Sequence, residues 1–292
     1  MKGRAMKLSR HLIHLTVAVG LALSSMLGAG HAQEPAKPFV PTVGQEGKDV
    51  IWVPTAQELV DRMLGMAKVT PQDYVIDLGS GDGRTVITAA KLGAKAHGIE
   101  YDEKMVELSR SNAEKENVAG KATFEKADIF KSDFSQATVI TMFLLDELNL
   151  RLRPTLLTMK PGTRIVSNTF DMGAWKPDAT LEVGTNCVSY CKAFLWIVPA
   201  RVGGNWRLER EGGNDKDPPV TLALKQTFQM LSGTAKPTKG KATNITGASL
   251  RADEITFKIG NAEYRGRAEG DTMTGTWRLA GREGRWSATR MK

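Results

Sequence analysis

Eleven residues constrain this chain most: Tyr74-Val75-Ile76-Asp77-Leu78-Gly79-Ser80-Gly81-Asp82-Gly83-Arg84. A short apolar strand ends on an acidic residue and runs into a turn with glycine at three alternate positions. Glycine tolerates positive φ and lets backbone come close to a ligand. The helix-like segment Thr85–Leu92 follows, and its start carries backbone N–H groups without partners inside the helix. Ala96–Ile99 then reads as the next strand, with Glu100 at its end, where an acidic side chain accepts both hydroxyls of an adenosine ribose. A glycine loop alone fits many nucleotide folds; a loop with an acid at the next strand end fits far fewer.

The alternation continues. Before the loop, Pro54 and Thr55-Ala56-Gln57-Glu58 read as a capping box opening a helix with Leu59, Met63, Leu64 and Met66 on one side. After it come a helix over 102–117 opened by Asp102, a strand over 122–125 leading to Asp128, and an apolar run over 137–145 suited to a strand buried on both faces. A helix over 146–157 containing Pro154 and a strand over 162–167 complete the series. Strands alternating with helices imply a parallel sheet with crossover helices. Segments 180–183 and 193–198 read as an antiparallel hairpin at one sheet edge, joined across Cys187-Val188-Ser189-Tyr190-Cys191. That spacing suits a local disulfide or a reduced pair at a tight turn; it lacks redox-motif spacing and falls short of a metal ligand set.

At Gly203 the pattern changes. Beyond the loop-forming stretch 211–219, short alternating strands recur with Gly233, Gly247, Gly260, Gly266, Gly270, Gly275 and Gly281 beside them. This predicts an antiparallel sheet or small barrel of six to eight strands with Trp206, Trp277 and Trp286 in its core.

Charge is unevenly distributed. Residues 1–32 hold four basic and no acidic side chains, 33–202 hold 20 and 22, and 203–292 hold 16 and 10, which sum to the net +8. The basic character lies at the two ends, and no aromatic-basic groove or helix-turn-helix pattern accompanies it. At the N-terminus, Lys7 and Arg10 precede a mostly apolar stretch over 12–27, and Gly30-His31-Ala32 offers small residues for cleavage. This predicts a signal peptide over 1–32 and an exported protein, in a bacterial periplasm; an uncleaved membrane anchor is the alternative. Residues 33–49 read as an extended tether, 50–202 as the α/β domain and 203–292 as the β domain.

Asp77-Leu78-Gly79-Ser80-Gly81-Asp82-Gly83 resembles motif I of the class I S-adenosylmethionine-dependent methyltransferases, and Glu100 and Asp128 match the acidic residues of their second and third motifs. The resemblance spans roughly residues 50 to 200. It implies a Rossmann-like sheet and S-adenosyl-L-methionine as cofactor. On that reading Asp77, Gly79 and Gly81 meet the amino-acid part, Glu100 the ribose, and Asp128 and Ile129 the adenine, with Ser80, Tyr101, Trp52 and Thr55 also among the cofactor-binding residues. Asp82 is read as capping the following helix.

Trp52-Val53-Pro54-Thr55, Asn149-Leu150-Arg151-Leu152-Arg153-Pro154 and Lys160-Pro161-Gly162-Thr163-Arg164 resemble, more narrowly, the branch containing ATP synthase c-subunit lysine methyltransferases, with histone lysine methyltransferases of the telomeric-silencing disruptor type as more distant relatives. That branch implies a protein lysine acceptor. The segment 143–149 lacks the Asn-Pro-Pro-Tyr pattern of enzymes that methylate nucleobase amines. Asp146, Asn149 and Asn168 are the candidates to orient an acceptor, and no metal is called for. A small-molecule methyltransferase and an exported non-catalytic binder of the same cofactor are the competing readings.

Overall fold

A computed structural model of the protein describes residues 39–184, 187–211 and 218–292. The expected signal segment, residues 1–32, and residues 33–38 of the expected tether lie outside the described residues.

The described chain opens with α1 (Gln57–Met66), β1 (Tyr74–Leu78), α2 (Arg84–Lys91), β2 (Lys95–Glu100), α3 (Glu103–Lys115) and β3 (Ala122–Lys126). It continues through β4 (Val139–Met142), α4 (Asp146–Leu156), β5 (Arg164–Asn168), β6 (Ala179–Glu182) and β7 (Lys192–Ile197). These strands form one sheet in the order β3-β2-β1-β4-β5-β7-β6. The first five run parallel, and β7 is antiparallel to both β5 and β6, so the expected edge hairpin is present. Alternation along β1 splits the core in two. Val75 packs with Leu59, Val86 and Val106 on one face, and Ile76 and Leu78 pack with Ile140, Leu152 and Trp196 on the other. Successive side chains of a strand point to opposite faces, so a sheet covered on both sides needs apolar residues at every position.

Three local expectations change. Thr55 does not cap α1: the cap position is Ala56, with no side-chain cap bond. The Thr55 hydroxyl instead accepts from Asn168 Nδ2 at 3.1 Å. The strand expected over 137–145 is only Val139–Met142 long. The described part of the tether is not simply extended. Gly44 N–H donates to Trp52 O at 2.9 Å, Trp52 N–H to Gln45 O at 2.9 Å, and Glu46 bridges Ile51. Residues 44–52 are thus a folded strap.

The second half comprises β8 (Gly204–Arg210), β9 (Val220–Thr227), β10 (Met230–Pro237), β11 (Thr243–Arg251), β12 (Glu254–Ile259), β13 (Ala262–Glu269), β14 (Thr272–Leu279) and β15 (Arg282–Arg290). They form a closed antiparallel barrel. Closure removes the unpaired edges that an open sheet would expose. Trp206, Trp277 and Trp286 are at most 1% exposed inside it. Each indole N–H reaches a carbonyl, on Val202, Glu211 and Arg265 respectively. The expected glycine punctuation is only partly a matter of turns. Gly266 and Gly275 face each other across β13 and β14. A Cβ on Gly275 would lie 1.9 Å from the Arg265 carbonyl oxygen, and one on Gly266 would lie 2.6 Å from the Trp286 ring. These glycines make room for backbone and indole.

The barrel is docked on the sheet through the β9–β10 turn. Phe228 there has φ 54°, an outlier conformation for a bulky residue. Its ring stacks on Trp175 at 5.9 Å, and the Arg153 guanidinium lies 5.6 Å from it. Gln229 Nε2 donates to Lys176 O at 2.8 Å. Phe228→Gly relieves the backbone but deletes the stack, and a net loss on the order of 2 kcal/mol is expected. Calorimetry would show it as one unfolding transition in the wild type and two in the variant; a single unshifted transition would refute the docking role.

Candidate active site

A cavity opens at the carboxyl ends of β1 to β4, where the sheet order reverses between β1 and β4. Ligands of open α/β sheets bind at such a switch point. The floor is the loop 79–83. Gly79 and Ser80 N–H both donate to Ile99 O, at 2.9 and 3.1 Å, and Gly83 N–H donates to Ser80 O at 2.9 Å. The glycine loop therefore uses these three amides within the fold and does not offer them to a ligand. Its glycines serve close approach. Gly81 has φ 53°, and a Cβ there would lie 2.7 Å from Trp52 Nε1, so the strap indole presses on the loop. The Ser80 side chain is buried, and a Cβ on Gly98 would lie 2.5 Å from its Oγ, which puts that hydroxyl beneath the loop. Asp82 flanks the cap of α2, which is Gly83. Its Oδ1 accepts from Arg84 N–H at 3.3 Å, and Oδ2 pairs with the Arg84 guanidinium at 2.6 Å.

Asp77, Glu100 and Asp128 all line this cavity, as do Gly79, Gly81, Tyr101, Ile129, Trp52 and Thr55. Asp77, at the end of β1, is 6% exposed and accepts from the Thr141 hydroxyl at 2.6 Å. Burial pushes its carboxyl up to about 7; the Thr141 hydroxyl opposes the shift, and the neighbouring Glu100 and Asp82 charges add to it. Glu100, at the end of β2, is already engaged by the backbone. Oε2 accepts from Gly81 N–H at 2.9 Å, and Oε1 accepts from Tyr101 and Asp102 N–H at 2.7 and 3.0 Å. Asp128, after β3, accepts from Phe130 N–H at 3.0 Å and pairs with Lys48 of the strap at 2.9 Å. The Lys48 bond and the Phe130 amide hold its carboxyl below the usual range. The Lys48 ammonium also lies 4.9 Å from the Tyr101 ring centre.

Asp146, Asn149 and Asn168 do not line the cavity. Asp146 Oδ1 accepts from Asp171 N–H at 3.0 Å. Asn149 is fully buried and its Nδ2 donates to Phe170 O and Asp171 O at 3.1 and 3.2 Å. Asn168, also fully buried, holds Thr55. All three tie the start of α4 and α1 to the chain leaving β5. The three expected to orient an acceptor therefore do not open onto the cavity: the Asp146 carboxylate and the Asn149 and Asn168 amide donors pair with nearby backbone and hydroxyl groups. The far wall is aromatic instead. Phe143, Phe170 and Tyr190 line it, with ring centres 6.1 Å (143–170), 5.2 Å (143–190) and 6.0 Å (170–190) apart. Phe143 falls in the segment expected to face the acceptor. Phe170 and Tyr190 carry no sequence signal beyond their positions after β5 and inside the cysteine turn.

Three carboxylates at successive strand ends, one buried and part-protonated, face an apolar surface formed by Ile129, Met105 and Leu144. This set fits a cationic adenosine derivative with an ammonium, a ribose diol and an aromatic base. Fold and site together define a class I S-adenosylmethionine-dependent methyltransferase.

Residues 77–179 match the ANTKMT methyltransferase domain. The chain is 45% identical over 152 residues to a protein-lysine N-methyltransferase of Saccharolobus islandicus, covering 51% of this chain and 94% of that enzyme. It is 32% identical over 189 residues to the lysine N-methyltransferase of the ATP synthase c-subunit from Mus musculus, covering 64% of this chain and 69% of that enzyme. A crystal structure of an RNA methyltransferase from Salinibacter ruber with S-adenosyl-L-homocysteine is 43% identical, covers 51% of this chain and 96% of that chain, and superposes with a TM-score of 0.48. The chain belongs to the class I S-adenosylmethionine-dependent methyltransferases, in the branch of these protein-lysine N-methyltransferases. It is an enzyme whose cofactor is S-adenosyl-L-methionine.

Proposed function

We propose that this enzyme methylates the side-chain amine of a protein lysine. The observation that carries the reading is the aromatic wall of Phe143, Phe170 and Tyr190 at the cavity end. Its apolar faces suit a long aliphatic chain tipped by an amine. The similarity to two protein-lysine methyltransferases supports the same acceptor.

Asp77 would hold the cofactor's ammonium, Glu100 its ribose hydroxyls, and Asp128 with Ile129 and Tyr101 its adenine. When bound, S-adenosylmethionine supplies a methyl group on a cationic sulfur. The chain's own task is then alignment and desolvation. Gly79 and Gly81 leave space for close approach, and Trp52 closes the loop from the strap side. Orientation alone lowers such barriers by several kcal/mol. A free lysine amine is protonated below about pH 10.4. Phe143, Phe170, Leu144 and Leu148 exclude water around it, and burial in such surroundings favours the neutral, nucleophilic amine. Asp146, Asn149 and Asn168 act indirectly, by fixing the segments that carry Phe143 and Phe170.

The export proposed from residues 1–32 suits the Cys187–Cys191 disulfide, since disulfides persist in oxidising compartments. Fractionation of the native host, with the protein found in the cytoplasm and its N-terminus intact, would overturn it. For the acceptor, extract is incubated with methyl-labelled S-adenosylmethionine and split between protease and nuclease. Label lost to protease and recovered as methyl-lysine is expected. Label in RNA or in the small-molecule fraction would replace the lysine reading.

A further inference from the structure

Tyr190 sits on the aromatic wall in an unusual way. It is 41% exposed, has φ 57° and directly precedes Cys191. Left-handed backbone is uncommon for a bulky residue and persists where the surroundings impose it. Here the surroundings are covalent. Cys187 and Cys191 are joined across four positions, so the turn carrying Tyr190 is a closed ring. Both cysteines pack against the core on the α1 side of the sheet. Val183 N–H donates to Cys191 O at 3.0 Å, and Thr169 N–H to Lys192 O at 2.7 Å, which anchors the ring to β6 and to the chain leaving β5. Phe143 and Phe170 have independent support from β4 and from the Asn149 clamp. Tyr190 stands on the disulfide-closed turn itself, next to these anchors.

We propose that Tyr190, held by the Cys187–Cys191 disulfide, is the third wall of an acceptor subsite for a linear alkylammonium chain, and that this wall is in place only in the oxidised protein. The inference rests on the lysine reading for the charge of the ligand. Ring centres 5.2 to 6.1 Å apart leave positions within about 6 Å of all three ring centres, the distance range in which an ammonium is attracted to an aromatic ring. Reduction by a small dithiol breaks the S–S bond, leaves two protein thiols and converts the dithiol to its cyclic disulfide. The open turn then has the rotational freedom that the ring removes. Tyr190 is a specificity-determining residue on this reading, and the cysteines are positioning residues.

The test uses the full chain saturated with S-adenosylhomocysteine. Calorimetry measures binding of Nα-acetyl-lysine-N-methylamide and of its neutral norleucine counterpart. The wild type is expected to bind the lysine probe more tightly than the neutral one. Tyr190→Ala, the Cys187→Ser/Cys191→Ser pair and the dithiol-reduced wild type are each expected to bind it about 10-fold more weakly, with Tyr190→Phe within about twofold of wild type. S-adenosylhomocysteine affinity should be unchanged in all of them, which separates loss of the wall from loss of the fold. Equal binding of the lysine probe by wild type, Tyr190→Ala and reduced protein overturns the wall and leaves the lysine reading standing. A wild type that binds the lysine probe no better than the neutral one overturns both.

Discussion

Asp77→Asn is expected to weaken S-adenosylhomocysteine binding at least about 30-fold at pH 8 while making the unliganded protein harder to melt. The two effects have one origin. Asp77 is buried beside Glu100 and Asp82, and its carboxyl titrates near 7 in the folded chain against an ordinary value of 3.8. Between those values the folded state keeps a proton that the unfolded state has lost. Stability therefore falls as pH rises through that window, and the full cost is present above about pH 7. That cost is on the order of a few kcal/mol, since one pKa unit corresponds to about 1.4 kcal/mol. Asparagine removes it, so a gain of at least about 5 °C in melting temperature is expected at pH 8 and almost none near pH 4. On the proposed reading, the cofactor's ammonium compensates this buried charge in the wild type. Removing one partner of a buried charge pair costs about 2 to 5 kcal/mol in binding. At pH 6, binding should release up to one proton, read by calorimetry in two buffers of different ionisation enthalpy. A variant that melts lower at pH 8, or binds as tightly as wild type, would sink the assignment.

The second large effect concerns Glu100, where the structure changes which experiment is informative. Its carboxylate accepts from three backbone amides, including Gly81 of the glycine loop. Glu100→Ala would leave those donors unpaired and disturb the loop whether or not the residue meets a ribose. Lost affinity in that variant would therefore prove nothing about the diol. The decisive comparison pairs S-adenosylhomocysteine with its 2′,3′-dideoxy analogue on wild type and on Glu100→Gln. Wild type is expected to discriminate by about 100-fold, because hydrogen bonds to a charged group are worth roughly 1.5 to 3 kcal/mol each. Glu100→Gln should discriminate by less than about 10-fold. Equal discrimination by the two proteins would remove Glu100 from the ribose.

Glu100 and Asp128 also show how one residue can be legible and incompletely read. Their places at strand ends follow from alternating patterns and turn chemistry, which are local. Their partners are not local: Gly81 lies 19 residues from Glu100, and Lys48 lies 80 residues from Asp128. The same distinction separates Asn149 from Phe170. A polar side chain at the start of a helix near a site reads as a candidate for chemistry, yet Asn149 spends its Nδ2 on the backbone of 170 and 171. Phe170 reads as an ordinary apolar residue and lines the cavity. The capping box at Thr55 failed for a related reason, since Asn168, 113 residues away, supplies the bond that Thr55 would otherwise make to its own helix.

Taken alone, the amino-acid order determined the succession of strands and helices, the change to an antiparallel barrel near Gly203, the buried tryptophans and the three acidic strand ends that mark an S-adenosylmethionine site. Each depends on periodicity, turn-forming residues or a motif within a few neighbours, and here no distant contact overrode them. Only the tertiary structure decided what covers the cavity and what lines its far end. The strap 44–52 over Gly81, the Phe228 stack that docks the barrel, and the ring that carries Tyr190 to Phe143 and Phe170 join segments tens of residues apart. Contacts at such separation arise from packing and from the geometry of the folded chain, which no local pattern encodes.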